Sequence, residues 1–164
     1  MGAGAVIGGA PTWVYVLLAV LIALGIRRLR TREVPLVVAL LPSAAFLIWS
    51  LIGARAFAVA AGSEVAAITW IVGAGVGAAS AYLLAEPRGV LLPNGRVRQP
   101  GTPVPLVLYL TVFVVRFACG AWGAIRPEQA LLAATIGVGV GAAMTGRLVA
   151  GVFRWRRGDV GAYA

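Results

Sequence analysis

The sequence predicts an all-α integral membrane bundle of five transmembrane helices, with the N-terminus outside, the C-terminus inside and two parallel helix-hairpin repeats. Three observations predict it. The chain is 61% hydrophobic and 12% charged over 164 residues, with a mean hydropathy of +0.96, whereas soluble proteins average about 45–50% apolar and about 25% charged. The apolar residues gather into five runs. The 14 basic residues are all arginine, and most of them fall in short loops. A net charge of +9 in a soluble protein would point to nucleic acid. Arginines confined to loops between apolar runs point to membrane topology instead.

The five runs form one transmembrane domain over 1–164, with helices expected near 12–29, 34–54, 64–85, 104–124 and 129–153. The first, WVYVLLAVLIALGI, is opened by Pro11 and closed by RRLRTRE. It lies near the lower length limit for a span. Its positive cluster follows the apolar run, the reverse of a secretory signal, so a retained helix is expected. The second carries Pro35 at its entry and Pro42 inside. Pro42 removes a backbone donor and predicts a kink that a bundle tolerates. The third and fourth have ordinary spanning length, and the fifth is long enough to tilt.

The loops give the orientation. Arg27, Arg28, Arg30 and Arg32 follow the first helix. Arg88, Arg96 and Arg98 follow the third, and Arg154, Arg156 and Arg157 follow the fifth. The two remaining loops are balanced, Arg55 against Glu64 and Arg126 against Glu128. With five helices the basic loops share one side, and the positive-inside rule places that side in the cytoplasm. Trp13, Trp122 and Trp155 fall near the expected interfaces, where indoles prefer to sit. In the cytoplasmic loop 86–103, Asn94-Gly95 lies between short apolar and alternating stretches. That predicts a small β-hairpin with a type I′ turn.

The repeat is read from two coincidences. VPLVVALLPSAAFLIWSLIGA at 34–54 aligns without gaps to VPLVLYLTVFVVRFACGAWGA at 104–124, and GAGVGAA at 73–79 matches GVGVGAA at 137–143. Both units enter from the same side, so the repeats are parallel. Gly73 and Gly77, like Gly137 and Gly141, are four residues apart, the small-xxx-small spacing that lets helix backbones approach. These four glycines are expected to pack the third and fifth helices against each other or against neighbours in the bundle. A phosphate-binding loop would need a strand-to-helix turn in a soluble setting.

Arg116 is the unusual residue. It lies about twelve residues into the fourth helix, roughly 18 Å from its cytoplasmic entry. A charge at the bilayer centre costs about 2.5–3.5 kcal/mol on insertion scales, less away from the centre. Glu64 at the outer start of the third helix is a candidate partner. Thr111, Thr135, Tyr109 and carbonyls freed near Pro42 are neutral candidates. Arg116 reads either as an anion-attracting site or as a structural charge that fixes helix register. Arg147, near the inner end of the fifth helix, is expected to snorkel to the cytoplasm. Cys119 shares a helix face with Arg116 and is expected to act as a small hydrophobe.

The remaining chemistry is thin. The chain has no histidine, a single cysteine and five acids, all outside the apolar runs or at their ends. That offers no paired cysteines, no clustered metal ligands and no nucleophile–base pair. No catalytic, cofactor or metal residue is expected.

The stretch GTPVPLVLYLTVFVVRFACGAWGAIRP, with Pro105, Leu106, Arg116, Phe117 and Gly120, resembles the fourth-helix block of a bacterial family of small multi-pass inner-membrane proteins classed as a domain of unknown function. Pro11, Trp13 and Val14 fit that family's opening, with the proline and threonine exchanged. The resemblance covers nearly the whole chain through short, apolar motifs. It implies a multi-pass protein of the bacterial plasma membrane and brings no activity with it. A looser similarity to membrane components of cytochrome c assembly and thiol transfer lacks the paired cysteines or histidines of that chemistry.

The expectation is a non-catalytic membrane protein, an accessory or scaffold component whose partners are the bilayer and a second copy or another membrane protein, with no nucleic acid. The alternative is a small transporter or channel for an anionic or amphipathic solute using Arg116. A lipid-directed enzyme ranks third. A transporter requires a water-reachable cavity meeting Arg116, and a scaffold requires a tight glycine-packed bundle.

Overall fold

The structure, a computed structural model, describes residues 12–84 and 89–157. Glu86, Arg88 and Asp159 therefore lie outside the described residues, as does the Trp13 side chain. Five helices follow one another: α1 Thr12–Arg27, α2 Leu36–Ala61, α3 Ser63–Leu83, α4 Val104–Ile125 and α5 Ala130–Phe153. Four short strands are added, β1 Arg32–Pro35, β2 Val90–Leu91, β3 Arg96–Gln99 and β4 Arg156–Arg157. From α2 onward each helix is long and apolar enough to cross a bilayer, α5 together with the single 3₁₀ turn before it. α1 has 16 residues, short of the roughly 20 that a span needs.

The helices carry large apolar side chains on their outsides. Val59 is 89% exposed, Leu83 82% and Val37 72%. In water so much exposed apolar surface would drive aggregation. In hydrocarbon it is the ordinary exterior, because lipid tails are as apolar as leucine.

α2 differs from its expected bounds at both ends. Val34 and Pro35 belong to β1, so the helix opens at Leu36. Arg55 does not end it. The following residues, Ala56 to Ala61, are apolar, and alanine is the best helix former. The chain breaks only at Gly62, whose φ of +89° is left-handed backbone that glycine adopts without steric cost. The loop expected around Arg55 and Glu64 thus shrinks to Gly62, with Arg55 exposed inside α2, six residues before its end, and Glu64 in the first turn of α3.

The strands form one four-stranded sheet in the order β1-β3-β2-β4. β3 is antiparallel to both β1 and β2, while β4 runs parallel to β2. The sheet draws together the segment after α1, the loop between α3 and α4, and the segment after α5. The three arginine-rich segments therefore sit at one end of the bundle. Val97, fully buried, packs there with Val34 and Ala39 against Leu36, Leu91 and Trp155. Burial first, then the neighbouring Arg28 and Arg27, hold the Arg32 guanidinium below its usual pKa.

The hairpin between β2 and β3 has a different turn from the expected type I′. Among the described residues no non-glycine has positive φ, so Asn94 does not; Gly95 does, at +73°. The Gly95 N–H donates to the Leu92 carbonyl at 3.1 Å, and the Leu92 N–H to the Arg96 carbonyl at 2.8 Å. This is a type I turn over Leu92–Gly95 whose last residue, Gly95, is left-handed. Pro93 explains the change, because its ring fixes φ near −65° at the first central position. Gly95→Ala is expected to lower stability by about 1 kcal/mol, read from unfolding in detergent.

α5 is the central helix. It packs against α2, α3 and α4, most extensively against α3, while α1 rests on α4. Gly73 and Gly77 do serve the α3–α5 contact. An added Cβ at Gly73 would lie 2.5 Å from the Gly139 carbonyl, and one at Gly77 would run into the Ala143 backbone. Gly137 and Gly141 do not: α5 meets α3 through Gly139, Ala142, Ala143 and Gly146. Two residues along a helix is about 200° of rotation, which turns Gly137 and Gly141 away from α3. The repeat is also not mirrored in packing. α2 meets both α3 and α5, whereas α4 meets α5 and α1 but has no comparable contact with α3.

Candidate functional site

Arg116 lies on α4, partly buried, and its guanidinium crosses to two other helices. An ideal Cβ at Gly53 of α2 would lie 3.5 Å from Nη2, and one at Gly141 of α5 would lie 2.5 Å from Nη1. At Gly141 a Cβ would crowd Nη1, whereas at Gly53 it would make only ordinary van der Waals contact with Nη2. Gly141, expected as a helix-packing glycine, makes room for the arginine. Gly137 lines the same site.

None of the candidate partners reaches the guanidinium. Glu64 is exposed in the first turn of α3, and no ion pair joins it to Arg116 among the described residues. Thr111 is exposed on α4. Thr135 donates to the Leu131 carbonyl on its own helix at 2.8 Å. Tyr109 stacks on Phe46, ring centroids 5.8 Å apart and planes 12° from parallel. Among the described residues, Arg116 has no hydrogen-bond acceptor.

α2 and α4 both lie on α5 but have no comparable contact with each other. The gap between them is an open groove of about 460 Å³, within the roughly 300–1,000 Å³ of small-molecule sites. Its walls are small: Gly53, Ala56 and Ala60 from α2, Cys119, Gly120 and Gly123 from α4, and Ala133 and Gly137 from α5. Arg116 is its one charged lining residue among those described. The groove runs from Ala60 and Ala130, at the helix ends away from the sheet, to Arg116 at its base.

A polar layer closes the base. Trp70 Nε1 of α3 donates to Ser50 Oγ at 3.2 Å, and Ser50 Oγ donates to the Leu47 carbonyl at 3.0 Å. Thr145 Oγ1 of α5 lies 3.0 Å from Ser50 Oγ and 3.0 Å from the Gly141 carbonyl. The Phe46–Tyr109 stack lies beyond this layer. Beyond the stack, a smaller pocket of about 140 Å³ opens at the sheet end. Along α4 the two openings are about seven residues apart, from Arg116 to Tyr109, or roughly 10 Å. Thr145→Val is expected to cost about 0.6 kcal/mol, and at most about 1.7, with the helices still assembled, as read from unfolding in detergent.

Arg147 differs from its expected snorkelling. It is 7% exposed, with Nη1 donating to Ser80 Oγ of α3 at 2.9 Å. Cys119 is buried and lines the groove one turn beyond Arg116. Gly53 and the Ser50–Thr145–Trp70 layer were not singled out in the sequence. A signal for them existed: Phe46, Ser50, Gly53 and Phe57 recur at intervals of four, three and four on one face of α2. Among the described residues no group of three or more potential metal ligands occurs. No family model, curated protein or solved structure matches the chain.

Proposed function

We propose that this is a multi-pass membrane protein that admits a small anionic solute to Arg116, and that it belongs to the transporter or channel class and not to enzymes. The observation that carries this reading is a guanidinium without an acceptor at the base of an open groove. An intramembrane charge is costly and marks a substrate or ion path by default. A partner elsewhere in the protein would make it structural, and none of the described residues provides one. Gly141 leaves room for the guanidinium, and the open groove that Arg116 lines is where an anion would approach it. The inner pocket lies along the same three helices, and the Phe46–Tyr109 stack separates it from the groove. That is the arrangement expected of a closed path.

In this reading α1 completes a fifth span, the sheet end faces the cytoplasm, and the groove opens outward. The arginines gathered at the sheet end support that orientation through the positive-inside rule. A bacterial plasma membrane fits the all-arginine basic composition and the family resemblance. The accessory or scaffold reading draws support from the close α3–α5 packing and from the apolar outer face of α3, where Ile68, Ile71 and Val76 are each more than 60% exposed. It leaves Arg116 unexplained.

Reconstituted into phosphatidylcholine vesicles, the protein is expected to allow nitrate, halide or acetate to exchange above the protein-free rate, and Arg116→Leu to remove that flux. Flux equal to empty vesicles for all three anions would contradict the proposal.

A further inference from the structure

The pocket at the sheet end has a chemistry that the reading of Arg116 does not use. It lies where the helix ends meet the sheet, lined by Arg28, Arg147, Arg154, Gln99, Thr102 and Tyr109 among others. Among its described lining residues there is no carboxylate. Its volume of about 140 Å³ is room for several waters, one needing about 10–15 Å³ by the same measure.

Two buried side-chain atoms beside it lack hydrogen-bond partners. Gln99 is 6% exposed, and its Oε1 is buried without a hydrogen bond. Amide oxygen and nitrogen are interchangeable in assignment, so turning the amide over places a donor there. Arg154 is held in place, with Nη1 donating to the Ala81 carbonyl and the guanidinium 5.5 Å from the Tyr82 ring centre. Its Nε is nonetheless a buried donor without an acceptor. Arg28 adds a second guanidinium from the end of α1. The hydroxyls of Thr102 and Tyr109 complete a lining rich in donors.

We infer that this pocket binds a phosphate-bearing anion through Arg28, Arg154 and the Gln99 amide. A phosphate group offers several acceptor oxygens and up to two negative charges, and it matches the planar fork of arginine better than a single-charged carboxylate does. Basic pockets between helices at the cytoplasmic boundary hold phosphate head groups for the same reason. A lipid head group and a free phosphate share this chemistry. The same pocket is the inner end of the path proposed above, but phosphate binding here does not require Arg116, and the two are read by separate measurements so that either can fail without the other.

The test uses the full chain. In one arm, protein freed of lipid in neutral detergent is titrated with inorganic phosphate, with chloride at matched ionic strength as control, and Tm is followed. In the other, nanodiscs of phosphatidylcholine with and without phosphatidylglycerol are prepared, and lipid retained after extraction is identified by native mass spectrometry. A saturable rise in Tm with phosphate beyond that with chloride identifies the free anion. Preferential retention of phosphatidylglycerol identifies the head group. In either case Arg28→Gln is expected to weaken binding by roughly tenfold or more. Ser43→Leu, which fills the pocket without changing charge, is expected to do the same. Arg154→Gln removes a contact to Ala81, so the first two variants decide the matter if it fails to fold. No preference for phosphate or phosphatidylglycerol, or binding unchanged in both Arg28→Gln and Ser43→Leu, overturns the inference.

Discussion

Gly77→Val will keep the bundle from assembling. A Cβ at position 77 would run into the backbone of Ala143 on α5. Backbone cannot rotate away as a flexible side-chain end can, so α3 and α5 would have to separate. They form the most extensive helix contact in the structure, and overpacking of a tight core costs about 1–3 kcal/mol and sometimes more. With backbone as the obstacle, the loss is expected to be at least about 3 kcal/mol. The comparison is Gly75→Val, two residues away, where a Cβ meets nothing within 4 Å. That variant is expected to behave like the unaltered protein. The folded fraction in detergent, followed by gel filtration and unfolding, reads both. Equal behaviour of the two variants would mean that α3 and α5 do not approach as described.

Arg116→Leu is expected to separate function from stability. If the arginine were a structural charge, its removal would strand a buried partner and destabilise the fold. No such partner exists among the described residues. Removing the cation should therefore relieve part of an intramembrane cost of about 2.5–3.5 kcal/mol, and stability should rise or hold. Anion affinity should fall instead. Losing one member of a buried charge pair costs about 2 kcal/mol or more, about thirtyfold in affinity. Arg116→Lys should recover part of it, since an ammonium keeps the charge without the planar fork. Gly141→Ala should lower affinity less than Arg116→Leu, because Nη1 is the far end of a flexible side chain and can shift away from the added methyl. Unfolding in detergent and anion-dependent flux measure the two properties separately. A strongly destabilised Arg116→Leu with unchanged flux would assign Arg116 to structure.

Much of the fold was legible in the sequence because the determining quantities are local. Hydropathy marks long apolar helices one segment at a time, and the arginine distribution anticipated that the segments around Arg32, Arg98 and Arg156 would gather at one end. The errors arose where a neighbour decides. Arg55 read as a loop residue because charge was weighed above the helix-forming AFAVAA that follows it. Asn94-Gly95 read as type I′ because Pro93 was not counted as part of the turn. For Gly137 and Gly141 the spacing leaves open whether α3 or another neighbour is met. Spacing gives a helix a face but does not say which neighbour that face meets. Arg116 stood out at once as a cost. Its cradle did not: Gly53 shares one α2 face with Phe46, Ser50 and Phe57, but that spacing does not say what the face meets, and the gap between α2 and α4 belongs to the assembled bundle.

The measurement that bears most directly on the central claim is the rate at which Cys119 reacts with charged, membrane-impermeant thiosulfonates. It would be applied in oriented proteoliposomes from the side away from the sheet. Cys119 is the chain's only cysteine and lines the groove beside Arg116, so the unaltered protein serves as its own probe. A hydrated groove ending in an unpaired cation predicts that the anionic sulfonate reagent reacts faster than its trimethylammonium counterpart. It also predicts that this preference disappears in Arg116→Leu. No reaction with either reagent, or equal rates that Arg116→Leu leaves unchanged, would mean a dry or uncharged cleft and would contradict the account.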